Sequence, residues 1–124
     1  MPHGPVLVVD DDPEILNFLS TLLDLEGIET RLATSAQAAL NVLSQATLPR
    51  LVLLDIAMPD RDGLDLCKAL KADARTKGIP VFVVSARPGP EVAQRAIAAG
   101  AEEFIRKPFE NAEMVDRIRA RLGA

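Results

Sequence analysis

The chain has 124 residues, of which 48% are hydrophobic, and 18 acidic against 14 basic side chains leave a formal net charge of −4. That length suits one domain, spanning residues 1–124, with a core that needs no metal or disulfide to hold it, and the single Cys67 excludes an intramolecular disulfide. The acidic balance gives no general attraction to nucleic acid or anionic membrane, and 3% aromatic residues without Trp or Tyr leave no platform for stacking bases.

Val6 to Val9 is a continuous apolar run, which reads as a buried strand. Asp12 followed by Pro13 is an N-cap with proline at the first helical position. Ile15, Phe18, Leu19, Leu22 and Leu23 then share one helical face, and Gly27 ends that helix. Ile28 to Ala33 is a weaker second strand, and Ser35 caps a helix with Ala36, Ala39, Leu40 and Leu43 inward. Leu51 to Leu54 is a third strand. The turn Met58-Pro59-Asp60-Arg61-Asp62-Gly63 leads from it into a helix that buries Leu66, Cys67 and Leu70. Pro80 opens a fourth strand, Val81 to Val84, and a helix over Glu91 to Ala99 stops at Gly100. A short fifth strand, Glu103 to Arg106, precedes a final amphipathic helix from Glu110 to Leu122 whose buried face is Met114, Val115, Ile118 and Leu122.

Strand and helix alternate without a break, which predicts an α/β fold with a parallel sheet covered on both faces, because parallel neighbours need crossover connections. Four of the apolar runs lead into polar residues: Asp10-Asp11-Asp12, Asp55, Ser85-Ala86 and Arg106-Lys107-Pro108. Ligands in open parallel sheets bind at that strand edge. The four ends therefore predict one site.

Three carboxylates converging there repel one another by roughly 4 kcal/mol per pair at ~4 Å and an effective dielectric near 20. Hard oxygen ligands in a small cluster suit Mg²⁺, and no Cys/His set argues for zinc. Lys107 adds a second positive charge. A carboxylate held beside both cations is placed to attack a phosphoryl group. Asp55, the lone acid at the end of a central strand, is the nucleophile in this reading, with Asp10 and Asp11 holding the metal and Ser85 and Lys107 contacting phosphoryl oxygens.

Val-Val-Asp10-Asp11-Asp12-Pro13, Leu-Leu-Asp55-Ile-Ala-Met58-Pro59-Asp60-Arg61-Asp62-Gly63, Val-Ser85-Ala86 and Lys107-Pro108-Phe109 together resemble the receiver domains of two-component response regulators, over essentially the whole chain. The resemblance implies a doubly wound, flavodoxin-like (βα)5 sandwich with strand order 2-1-3-4-5. It implies that Asp55 accepts phosphate from a phosphohistidine on a sensor histidine kinase or phosphotransfer protein, and that the only chemistry is the domain's own phosphorylation and slow self-dephosphorylation. Asp11 would coordinate Mg²⁺ directly, Asp10 mainly through water, and the backbone carbonyl of Ala57 would add a ligand. A cis peptide bond before Pro108 is expected. Ser85 and Phe104 occupy the switch positions, and the output is a changed surface on the fourth helix, fifth strand and fifth helix, toward an output partner or domain that the sequence does not name. Arg117 with Glu103 resembles acid–base pairs used when receivers form homodimers through that surface. A cytoplasmic protein without direct contact to nucleic acid or membrane is expected.

Simpler readings hold elsewhere. Asp12 is a helix cap, Asp60, Asp62 and Gly63 shape a turn, Cys67 is inert core, and His3 lies in a terminus flanked by proline and glycine. A magnesium-dependent phosphohydrolase would share an acid-any-acid start, but Glu14 stands where Thr or Val is expected and no substrate-binding cap fits in the length. Neither a Gly-x-Gly-x-x-Gly nor a Walker loop is present to bind nucleotide. Two departures from the receiver pattern adjoin the site. Ala57 stands where many receivers carry a polar side chain, and Arg87-Pro88-Gly89-Pro90 predicts a restricted loop after Ser85.

Overall fold

The structure is a computed structural model that describes residues 5–45, 47–57, 62–87 and 89–123. Strands β1 (Val6–Val9), β2 (Thr30–Ala33), β3 (Leu51–Asp55), β4 (Val81–Ser85) and β5 (Glu103–Arg106) alternate with helices α1 (Pro13–Leu25), α2 (Ala36–Leu43), α3 (Gly63–Ala72), α4 (Pro90–Ala98) and α5 (Asn111–Leu122). The strands form one parallel sheet in the order β2-β1-β3-β4-β5. This is the parallel α/β sheet expected from the alternation, in the doubly wound order that the resemblance implies.

The period of two along each strand divides the core into two layers. Leu7, Val9, Val52, Leu54, Val81 and Val83 point to the face covered by α2, α3 and α4, where they meet Ala36, Leu43, Leu66, Cys67, Leu70 and Ala96. Val6, Val8, Leu51, Leu53, Phe82 and Val84 point to the opposite face, against Leu16, Leu19 and Leu23 of α1 and Met114, Ile118 and Leu122 of α5. Every residue of β1, β3 and β4 is buried, whereas the edge strands β2 and β5 are only partly so. Central strands covered on both faces have little room for a polar residue along their length, so β1 runs apolar throughout, β3 up to Asp55 and β4 up to Ser85.

Local signals start the helices as the sequence predicts. Asp12 Oδ1 accepts the Glu14 N–H at 2.9 Å, Ser35 Oγ accepts the Ala38 N–H at 3.1 Å, and Asp62 Oδ1 accepts the Leu64 N–H at 2.9 Å. The buried stripe of α1 is a correction: Leu16, Leu19 and Leu23 are at its centre, and Phe18 is 44% exposed. At 100° per residue Phe18 lies roughly 130° from the middle of that stripe. Two overlapping apolar stripes fit this helix, and the sheet selects the one containing Leu16. β2 is also shorter than expected, because the Ile28 N–H is spent on the Leu23 carbonyl in the turn that ends α1. Helix α4 begins one residue early, at Pro90, and α5 one residue late, at Asn111. Among the described residues no helix is long and apolar enough to cross a membrane.

Candidate functional site

The chain leaves β1 for β2 on one side and passes from β3 to β4 on the other, so the crossovers part at the C-terminal ends of β1 and β3. Register aligns what emerges there. Val9 pairs with Leu54, which sets Asp10 beside Asp55, and Ser85 pairs with Arg106, which sets Lys107 just beyond the end of β4. The Lys107 N–H donates to the Ser85 carbonyl at 2.9 Å and anchors that second pair.

Asp10 and Asp55 are 3% and 8% exposed, Ser85 is 1% exposed, and Asp11 faces solvent. One oxygen from each of Asp10, Asp11 and Asp55 falls within 4.8 Å of the others. Lys107 Nζ bridges the two buried acids, at 2.8 Å from Asp10 Oδ2 and 3.3 Å from Asp55 Oδ2. The opposite oxygens are also engaged: Asp10 Oδ1 accepts the Asp12 N–H at 2.9 Å, and Asp55 Oδ1 accepts the Ala57 N–H at 3.0 Å. Two carboxylates can lie this deep because each has both a backbone donor and a share of one ammonium.

Burial raises the pKa of Asp55 above its ordinary value, and the charge of Asp10 adds to it. The Ala57 N–H and Lys107 oppose the shift without cancelling it. Burial alone would lower Lys107, but its bonds and charge interactions with Asp10 and Asp55 outweigh that and hold it above its ordinary value. The ammonium therefore stays charged at neutral pH.

Three carboxylates with no sulfur or imidazole among them form a hard-oxygen donor set. Such a set fits a small divalent cation such as Mg²⁺, and their mutual repulsion gives that cation a reason to bind.

The other sequence-derived positions fall around this cluster. Ser85 Oγ accepts the Arg87 N–H at 3.0 Å. Phe104 is half-buried on the edge strand, the Lys107–Pro108 peptide bond is cis, and Ala57 is exposed beside Asp55. Arg117 pairs within the chain, at 2.8 Å from Glu103 and 2.7 Å from Glu113. Met58, Pro59, Asp60, Arg61, Pro88 and His3 lie outside the described residues. The sequence reading missed Arg106. Its guanidinium stands 5.3 Å from the centre of the Phe104 ring and donates to the Arg87 carbonyl at 2.8 Å. The available signal was the two-residue spacing from Phe104, which puts both side chains on one face of β5.

The family model of the response regulator receiver domain matches residues 6–119. The chain belongs to that family. The heme response regulator HssR of Staphylococcus aureus is 40% identical to it over 114 residues, covering 92% of this chain and 49% of the relative. The DNA-binding response regulator MtrA of Mycolicibacterium smegmatis is 36% identical over 117 residues, covering 94% and 50%. The chain thus spans about half the length of these curated relatives. Among solved structures, a putative response regulator from Chloroflexus aurantiacus superposes with a TM-score of 0.91 at 32% identity over 100% of both chains. The receiver domain of NtrX from Brucella abortus superposes with a TM-score of 0.86 at 36% identity, covering 96% and 98%. The chain is a receiver domain of a two-component response regulator, with that family's order of five parallel strands.

Proposed function

We propose that residues 1–124 act as a single phosphoacceptor module, in which Asp55 takes a phosphoryl group from a phosphohistidine of a sensor histidine kinase or phosphotransfer protein. The observation that carries this reading is the position of Asp55, buried at the end of β3, with one carboxylate oxygen beside Lys107 and two further acids within reach of a shared cation. An Asp55 oxygen attacks phosphorus, the P–N bond breaks, and the imidazole nitrogen leaves with that electron pair and takes a proton from solvent. Mg²⁺ held by Asp10, Asp11, Asp55 and the Ala57 carbonyl would neutralise charge on the equatorial phosphoryl oxygens. Lys107 contributes the protein's own fixed cation for those oxygens, and its 2.8 Å bond to Asp10 aims it. The Ala57 N–H orients the Asp55 carboxylate through Oδ1. Ser85, at the end of β4, carries the hydroxyl that turns to the new phosphoryl group, and Phe104 responds on β5.

The domain's chemistry is limited to its own phosphorylation and slow dephosphorylation, which is the reason for not counting it an enzyme. It works in the cytoplasm, without direct contact to nucleic acid or membrane. Its output is the α4-β5-α5 surface, presented to an output domain or partner, and a second copy of the chain can meet it there through Glu103 and Arg117.

With no Trp or Tyr in the sequence, binding is best followed by amide NMR shifts or calorimetry. Beryllofluoride with Mg²⁺ should bind with one-to-one stoichiometry and fail to bind Asp55→Ala. Saturable binding that survives in Asp55→Ala, or multiple turnovers of a free phosphate ester, would overturn this assignment in favour of a phosphohydrolase.

A further inference from the structure

One side chain touches the surroundings of both switch positions. Arg106 Nη1 donates to the Arg87 carbonyl at 2.8 Å and Nη2 makes a long contact of 3.5 Å to the Gly89 carbonyl, while the guanidinium carbon stands 5.3 Å from the centre of the Phe104 ring. The N–H of the same Arg87 donates to Ser85 Oγ at 3.0 Å. Arg87 therefore links the Ser85 hydroxyl to Arg106, and Arg106 links Arg87 to the Phe104 ring.

We propose that Arg106 is a latch that couples Ser85 to Phe104 and holds the unphosphorylated arrangement of both. The inference rests on the assignment of Asp55 as phosphoacceptor, and it concerns how that site is restrained. The backbone around the latch is fixed, because Ser85 and Arg106 are register partners and the Lys107 N–H bonds the Ser85 carbonyl. Movement is left to the side chains and the Arg87 peptide that they contact. For the Ser85 hydroxyl to turn to a phosphoryl group on Asp55, it must release the Arg87 N–H. The Arg87 peptide then shifts, and its carbonyl leaves Arg106. Once freed, the guanidinium no longer stays over Phe104, and the ring can move. In reverse, a ring held under the guanidinium keeps the Arg87 peptide in place.

A planar guanidinium suits this role, since its edge can donate to two carbonyls while its face lies over a ring. A lysine ammonium at the same position supplies charge without that fork. Arg106 is exposed, so the latch is a modest restraint that phosphorylation can overcome. A ligand that binds only the released state has its apparent affinity reduced by the fraction of molecules that remain latched.

The experiment is a beryllofluoride and Mg²⁺ titration of wild type, Arg106→Ala and Arg106→Lys, with melting temperatures to establish that each variant is folded. Arg106→Ala should bind about threefold to tenfold more tightly than wild type, from loss of an exposed cation–π contact and a charged hydrogen bond. Arg106→Lys should fall between the two. The gain should shrink in a Phe104→Ala background, since the latch then has one partner fewer. That coupling is a readout a merely structural role would not move. Equal or weaker binding by folded Arg106→Ala, or an undiminished gain in the Phe104→Ala background, would overturn the latch while leaving the phosphoacceptor assignment standing. Failure of wild type to bind beryllofluoride would remove both.

Discussion

Replacing Asp55 with asparagine should make the metal-free domain more stable at neutral pH, although it removes an ion pair. Asparagine keeps an oxygen for the Ala57 N–H, which donates to Asp55 at 3.0 Å, so the change is chiefly one of charge. At an effective dielectric near 20, the Asp55–Lys107 attraction at 3.3 Å is about 5 kcal/mol, and the repulsion from Asp10 within 4.8 Å is about 3.5 kcal/mol. Asp11, within the same distance but exposed and better screened, adds a further repulsion. Those direct terms nearly cancel. What remains is the cost of holding an ionised carboxylate at 8% exposure, which is several kcal/mol for a fully buried ion and less at this rim position. The direction of the Asp55 pKa agrees with that balance. Burial, then Asp10, raise it against the Ala57 N–H and Lys107.

A carboxyl whose pKa is raised on folding contributes stability below its unfolded value, about pH 4, and loses that contribution as pH rises through the folded value. Wild type should therefore lose stability on that account from about pH 4 upward, and Asp55→Asn should not. The expected gain at pH 7 is on the order of 1–2 kcal/mol, the part of the burial cost that this rim position retains, or about 3–8 °C in melting temperature for a chain of this size. Urea denaturation in EDTA, followed by far-ultraviolet circular dichroism from about pH 4 to pH 8, measures both the gain and the slope, the slope lying at the acid end. Adding Mg²⁺ should narrow or reverse the difference, because a ligand at a hundred times its dissociation constant adds about 2.7 kcal/mol to the form that binds it. A variant no more stable than wild type at pH 7 in EDTA, or with the same pH slope, would refute the reasoning.

Gly63→Ala should cost about 1–3 kcal/mol, the range for overpacking, because a Cβ there would lie 2.8 Å from the Asp55 carbonyl oxygen and overlap the Ile56 Cα, both backbone atoms that cannot turn aside. A urea midpoint equal to wild type would contradict that close approach of α3 to the end of β3. Ala57→Asn should shorten the lifetime of the phosphorylated state severalfold, since Ala57 is exposed beside Asp55 and an amide there can position a hydrolytic water. Phosphoryl half-lives of the two proteins measure this, and equal values would rule out Ala57 as the cause of slow dephosphorylation.

Much of the site was legible because its signals are local. An apolar run that stops at Asp10, Asp55 or Ser85, or at Arg106 just before Lys107, places each group at a strand end whatever the remainder of the chain does, and the hydrogen bonds of Asp12 and Asp62 are made to residues two positions away. The α1 stripe was less legible. Phe18 and Leu16 both complete an amphipathic pattern, and only the shape of the α1-facing side of the sheet decides that Leu16 is buried and Phe18 exposed. Arg106 was missed because an arginine at the end of an edge strand reads as a solvated charge. Its partners, Phe104 and the Arg87 carbonyl, come together only when β5 lies beside β4.

By itself the sequence determined the order of strands and helices, where the capped helices α1, α2 and α3 start, and which polar groups stand at strand ends, since periodicity and capping act over a few residues. Tertiary structure alone decided how those ends meet. Lys107 comes between Asp10 and Asp55, which are 97 and 52 residues away along the chain. That bridge depends on the register of β1, β3, β4 and β5, and register is set by packing two apolar layers at once, which no local stretch of sequence encodes.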